Sequence, residues 1–121
     1  MESRFNYRDD VVTPEVISKL SAIEGIDSFF VSSEAVDEIS DILELDNYSD
    51  TEELRAIRNS VVKNFNSIIK VLIYLKNNRT GIYTANVADA LRDVEADMTR
   101  HMSAVVAVID DRMYNIDPHS V

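Results

Sequence analysis

The sequence predicts an all-α fold: a long antiparallel helical hairpin over about 51–77 and 85–115, preceded by two short helices over about 14–24 and 33–45. Three observations carry this. Only two Gly and two Pro stand among 121 residues, too few for the tight turns of an all-β chain. Apolar residues recur at steps of three and four, the period of a helix face. Candidate N-cap residues (Ser, Thr or Asp) precede the apolar runs. The expected organisation is one helical domain over 1–121. It comprises a flexible arm at 1–12, an acidic helical subdomain at 13–50 and the hairpin at 51–116.

In the arm, Phe5 and Tyr7 are candidate anchors. The first helix opens in "VVTPEVISKL". Thr13 is the expected N-cap, and Pro14 takes the first helical position, where its missing N–H costs nothing. Val12 and Ile17 have the spacing of a hydrophobic staple. Ile17, Leu20 and Ile23 share a face, and Gly25 is the expected stop. The connector "IDSFFVSS" then sends Phe29 and Phe30 toward the core. Ser32 or Ser33 caps the second helix. Val36, Ile39, Leu43 and Ile42 form its apolar stripe, and Glu34, Asp37, Glu38, Asp41 and Glu44 fill the rest. Acids near the start suit the helix dipole; Glu44 near the end opposes it.

"DNYSDTEEL" is a break with a restart. Ser49 with Glu52, or Asp50 with Glu53, has capping-box spacing. Glu52 and Glu53 in the first turn and Lys76 in the last suit the dipole of the third helix. Asn77, Asn78 and Gly81 in "KNNRTGIYTANV" tolerate left-handed backbone and end it; Thr84 is placed to cap the fourth helix and Pro118 to close it. A turn this short makes the two long helices antiparallel.

The hairpin stripe has a distinct period. Leu54, Ile57, Val61, Phe65, Ile68 and Leu72 line one helix; Val87, Leu91, Val94, Met98, Met102, Val105, Ile109, Met113 and Ile116 line the other. Many pair at separations of eleven, or about 3.67 residues per turn, so the helices should run nearly straight for about 40 Å. Two stretches exceed the stripe: "IIKVLIYL" at 68–75 and "AVVAVI" at 104–109 are apolar almost all round. In an antiparallel hairpin they lie toward opposite ends. The short N-terminal helices have the length to cover one, which leaves the other as a subunit interface in a homo-oligomer. Ile69, Val71, Ile73, Tyr74, Val106 and Val108 are its candidate residues.

Charge is placed unevenly. The net charge is −10, with thirteen acids and three bases in 1–50 and nine of each in 51–121. No base stands between Lys19 and Arg55. Glu34, Asp37, Glu38, Asp41 and Glu44 therefore form either a solvated face or a docking face for a basic protein partner. Direct nucleic-acid binding is expected to be weak, because affinity for phosphate comes from Lys and Arg. Arg55, Arg58, Lys63 and Lys70 give the third helix a basic face, extended by Lys76 and Arg79. Pairing of the acidic and basic faces, within one chain or between subunits, is the simplest account of both.

Chemistry is sparse. There is no phosphate loop, no GxSxG and no HExxH. With no Cys, the chain has no disulfide, thiolate zinc site or thiol nucleophile. Asp97 and His101 are four apart, yet a third metal ligand is not evident; His119 lies near the chain end. Met98, Met102 and Met113 read as core filler. The expectation is a protein that is not an enzyme, with no catalytic residue, no metal and no cofactor. "MESRFNYRDD" has no apolar run of a signal peptide, and no apolar stretch is long enough to span a membrane. A cytoplasmic protein is expected, in the host cytoplasm for a viral product.

The stretches "TEELRAIRNSVVKNF" and "TANVADALRDVEADMTRHM" resemble the core of the small terminase subunits of T-even-type tailed phages. The resemblance covers about 51–116. It rests on hairpin length, on Arg58 and Asn59 near the start, and on the alanine-rich opening of the fourth helix. It implies a hairpin that assembles side by side into a ring, which regulates the large terminase motor during DNA packaging. The acidic N-terminal part departs from a DNA-binding helix-turn-helix. The leading functional expectation is a helical assembly or adaptor protein acting through self-association, with a DNA-packaging subunit as its sharpest form. The alternative is an acidic inhibitor (an antitoxin, immunity or anti-defence protein) that binds a basic partner.

Overall fold

Two long helices set the architecture. The computed structural model describes residues 12–26, 32–77 and 85–120, and every regular element within them is helical. Helix α1 spans Pro14–Ser21, α2 Ser33–Ile42, α3 Thr51–Asn77 and α4 Ala85–Ile116. Short 3-10 turns sit at Leu45–Asn47 and Pro118–Ser120. The fold is all-α, with α3 and α4 forming the long hairpin. Arg58, near the start of α3, pairs with Asp110, near the end of α4, at 2.8 Å, so the two run antiparallel. At 27 residues α3 is about 40 Å long. The end where α3 begins and α4 finishes is called proximal below.

Local signals place the starts of these helices. Thr13 Oγ1 accepts the Val16 amide at 3.3 Å with Pro14 at the first position, and Ser32 Oγ accepts the Ala35 amide at 3.1 Å. Asp50 caps α3, its Oδ1 accepting the Glu52 amide at 2.9 Å. Each cap satisfies one of the N–H groups that a helix start leaves over. The ends of the short helices depart from expectation. α1 finishes at Ser21, not near 24: the chain coils onward through tight turns that bury Ile23 and Ile26, and Gly25 serves at φ +83 after the helix has ended. α2 finishes at Ile42, and Glu44 stands in left-handed backbone at φ 54. The last turn of α2 has no base to meet its dipole, so nothing there extends it.

The core lies at the proximal end. Leu54, Ile57, Val61 and Phe65 of α3 meet Val105, Ile109 and Met113 of α4, all buried. α1 and α2 lie against α4, and α1 also reaches α3. Together they form an N-terminal layer that adds Ile17, Leu20, Ala35, Ile39 and Leu43 to this core. Ala35 takes a place that the predicted stripe gave to Val36, which is only partly buried. Burying each such aliphatic side chain contributes about 1.5–3 kcal/mol, which short helices need in order to persist. Val12 belongs to this core, not to a flexible arm: it is 1% exposed, and the Asn64 side-chain amide donates to its carbonyl. At the proximal tip, Arg112 Nη2 donates to the Tyr48 carbonyl at 3.1 Å and fastens the start of α3 to the end of α4.

The distal half is packed differently. Ile68 and Leu72 are partly buried, and Val94, expected in the core stripe, is 42% exposed. Among the described residues the N-terminal layer does not lie over them. Phe5, Tyr7, Phe29, Phe30, Asn78, Arg79, Gly81 and Thr84 lie outside the described residues, as does the side chain of Val87.

Candidate functional site

Among the described residues, the N-terminal layer lies over the proximal half of one broad face of the hairpin. On α3 it covers the flank of Ser60, which is 2% exposed, and Asn64. On α4 it covers Ala104 and Val108. Val12, the first described residue, rests on Asn64. Seven residues on, two helical turns, Val71 occupies the same flank and is 58% exposed. Tyr74, one turn beyond, is 64% exposed. Counting thirteen residues outward from Arg58 and inward from Asp110 brings Val71 level with Asp97, within a turn of Val94. Val71, Tyr74 and Val94 thus mark an apolar strip on the distal hairpin.

The six candidate interface residues therefore separate. Val71 and Tyr74 are exposed. Ile69 and Ile73 are partly buried, and helical spacing puts them on the other flank of α3, in line with Arg58 and Val62. Val106 is partly buried against the core. Val108 is a correction: at 6% exposure it is core, because "AVVAVI" is the stretch that the N-terminal layer covers. Sequence reasoning missed Val94. Its step in the stripe is regular, and nothing in the step reveals which turns have a third neighbour. Tyr114, 54% exposed, was likewise not singled out.

The charged faces are accessible. Glu34, Asp37, Glu38, Asp41 and Glu44 are all exposed on the N-terminal layer. Among the described residues none of them joins an ion pair, whereas Arg58–Asp110, Arg92–Asp89 and Arg100–Asp97 do pair. Arg55, Lys63 and Lys70 are exposed along the side of α3 that points away from α4. Arg58 is a correction to the basic face, because it turns sideways to Asp110. Its Nε–H is not well aimed at the carboxylate, so the contact is an ion pair more than a hydrogen bond. α2 packs on α4, and among the described residues Glu34, Asp37, Glu38, Asp41 and Glu44 form no ion pair with the basic face of α3.

For chemistry, Asp97 pairs with Arg100, and no group of three or more His, Cys, Asp or Glu among the described residues is arranged to hold a metal. No described helix is long and apolar enough to cross a membrane. Comparison with known protein families, with characterised proteins and with solved structures finds no match. The described surface carries an exposed apolar strip, an acidic layer and a basic helix edge.

Proposed function

We propose that this chain is a helical assembly or adaptor subunit that acts without catalysis, by self-association through the distal half of its hairpin. The observation that carries this reading is the strip itself. Val71, Tyr74 and Val94 are 58%, 64% and 42% exposed on helices whose proximal halves are closed over a full core. Large apolar side chains grouped beside a basic helix edge are what an interface needs. The sharpest form of the reading is a viral DNA-packaging subunit like the small terminases, working in the host cytoplasm and contacting its motor through protein surfaces. Direct contact with nucleic acid is weak in this reading, since the exposed bases are few and the chain carries −10.

Absolute mass by light scattering, at low and high salt, tests it. A discrete oligomer supports self-association, and a mass of many subunits supports the packaging form. A monomer at all concentrations and salts removes the reading. The exposed acids Glu34, Asp37, Glu38 and Asp41, with no ion partner among the described residues, favour one second reading: an acidic inhibitor of a basic protein. That reading requires Asp37→Asn, Glu38→Gln and Asp41→Asn together to abolish binding of the basic partner.

A further inference from the structure

We infer that helix α2 is a cover that salt closes: repulsion among its own carboxylates opposes its seat on α4, and rising ionic strength shuts it. This device lies within one chain and needs no second copy.

Helix α2 is a poor helix by its own composition. It has ten residues, fewer than an isolated helix needs to persist in water. It carries Glu34, Asp37, Glu38 and Asp41, all exposed, and no base. Glu34 lies three residues before Asp37 and four before Glu38; Asp41 lies four after Asp37 and three after Glu38. Each of these spacings sets side chains beside one another on a helix surface, so one short helix holds four like-charge contacts. Glu34 in the first turn gains from the helix dipole, whereas Asp41 near the end loses by it. What keeps the helix folded is burial. Ala35 and Ile39, with Leu43 just after its end, are all buried in the core.

The surroundings do not neutralise these acids. α2 packs on α1, on the turn Leu45–Asn47 and on α4. The turn adds Asp46, with Glu44 just before it. α1 offers Glu15 and one base, Lys19, and among the described residues no ion pair joins Lys19 to α2. On α4, Arg100 and Arg112 stand one turn to either side of the covered residues Ala104 and Val108, and both are engaged elsewhere. Arg100 pairs with Asp97, and Arg112 Nη2 donates to the Tyr48 carbonyl at 3.1 Å. Asp110 is held by Arg58, and Asp111 beside it is a further exposed acid.

Screening therefore acts with opposite sign on two parts of the molecule. Charges are felt over about 30 Å at 0.01 M salt and about 8 Å at 0.15 M. Salt weakens the attraction of Arg58 for Asp110 across the hairpin. Along α2 it weakens a repulsion that melting the helix would otherwise relieve. At low salt the closed layer is populated less. The face of α4 around Ala104 and Val108, buried when the layer is closed, is then presented more often.

Hydrogen exchange followed by mass spectrometry tests this on the full chain, in about 10 mM and about 300 mM NaCl at one pH. Protection over 33–43 is expected to rise about three- to tenfold with salt, the combined effect of four such contacts. Protection over 54–65, in the core of α3, is expected to rise less than about twofold. Asp37→Asn with Asp41→Asn removes three of the four contacts and should give the high-salt protection already at low salt. Asp89→Asn with Asp93→Asn removes the same charge from the distal end of α4 and should leave 33–43 as in the parent. Equal protection over 33–43 at both salts overturns the inference. A rise matched over 54–65 also overturns it, because net charge would then be acting on the whole fold. A full salt response that survives the loss of Asp37 and Asp41 does the same.

Discussion

Replacing Asn64 with Ala tests how the N-terminal layer is held. The Asn64 amide donates across 52 positions of sequence to the Val12 carbonyl, and it also lies 3.5 Å from the Ser60 hydroxyl. Val12 is 1% exposed and Ser60 2%, so the amide reaches into a nearly dry seam. Losing the donor removes one hydrogen bond and leaves a carbonyl with poor access to water, at a cost of about 1–3 kcal/mol. Ala is the better helix former at this mid-helix site by about half a kcal/mol, which works in the opposite direction. The net expectation is a loss of about 1–2 kcal/mol. For 121 residues the unfolding entropy near the midpoint is about 0.25 kcal/mol/K, so Tm should fall by about 4–8 °C. Asn64→Asp keeps the shape but aims an acceptor at the carbonyl, and should lose at least as much. Thermal unfolding followed by circular dichroism gives the number, and amide exchange should show protection lost first over 14–26. An Asn64→Ala protein as stable as the parent, with unchanged exchange there, would mean that helix propensity outweighs the tether. The account of how the layer is anchored would then be wrong.

Other outcomes follow from burial and backbone. Phe65→Ala, at a fully buried site, should cost about 3–5 kcal/mol in urea unfolding, whereas Val71→Ala in the dilute monomer should stay within about half a kcal/mol. The ratio of the two measures how far the core is confined to the proximal half. Gly25→Ala should destabilise by about 1 kcal/mol through its φ of +83 alone, since a Cβ there meets nothing within 4 Å. Glu44→Gly should stabilise by up to about 1 kcal/mol, because Glu44 occupies left-handed backbone at φ 54. Asp110→Asn should cost well under 1 kcal/mol, and less still at high salt, because its ion pair with Arg58 is 29% and 39% exposed on its two sides.

The sequence by itself determined the helices, because their signals are local. Thr13 with Pro14, Ser32, and Asp50 mark helix starts through hydrogen bonds to amides two or three residues on, which any reader of the chain can anticipate. The stripe through Leu54, Ile57, Val61 and Phe65 announces a buried face, and the excess of apolar residues at 68–75 and 104–109 announces extra neighbours. Only the tertiary structure decided which of those stretches has its neighbour within the chain. The described N-terminal layer lies over Val108 and, through Val12, over Asn64, so Val108 is core, whereas Val71 is 58% exposed, although both sit in runs of similar composition. It also decided the stops of α1 and α2, where Ile23 and Ile26 are drawn into the core and Glu44 is left in a conformation its own type disfavours. The physical reason is that burial depends on what a side chain meets across tens of residues of sequence. Periodicity records which way a side chain points along its helix, and the length of a covering layer is written nowhere in that period.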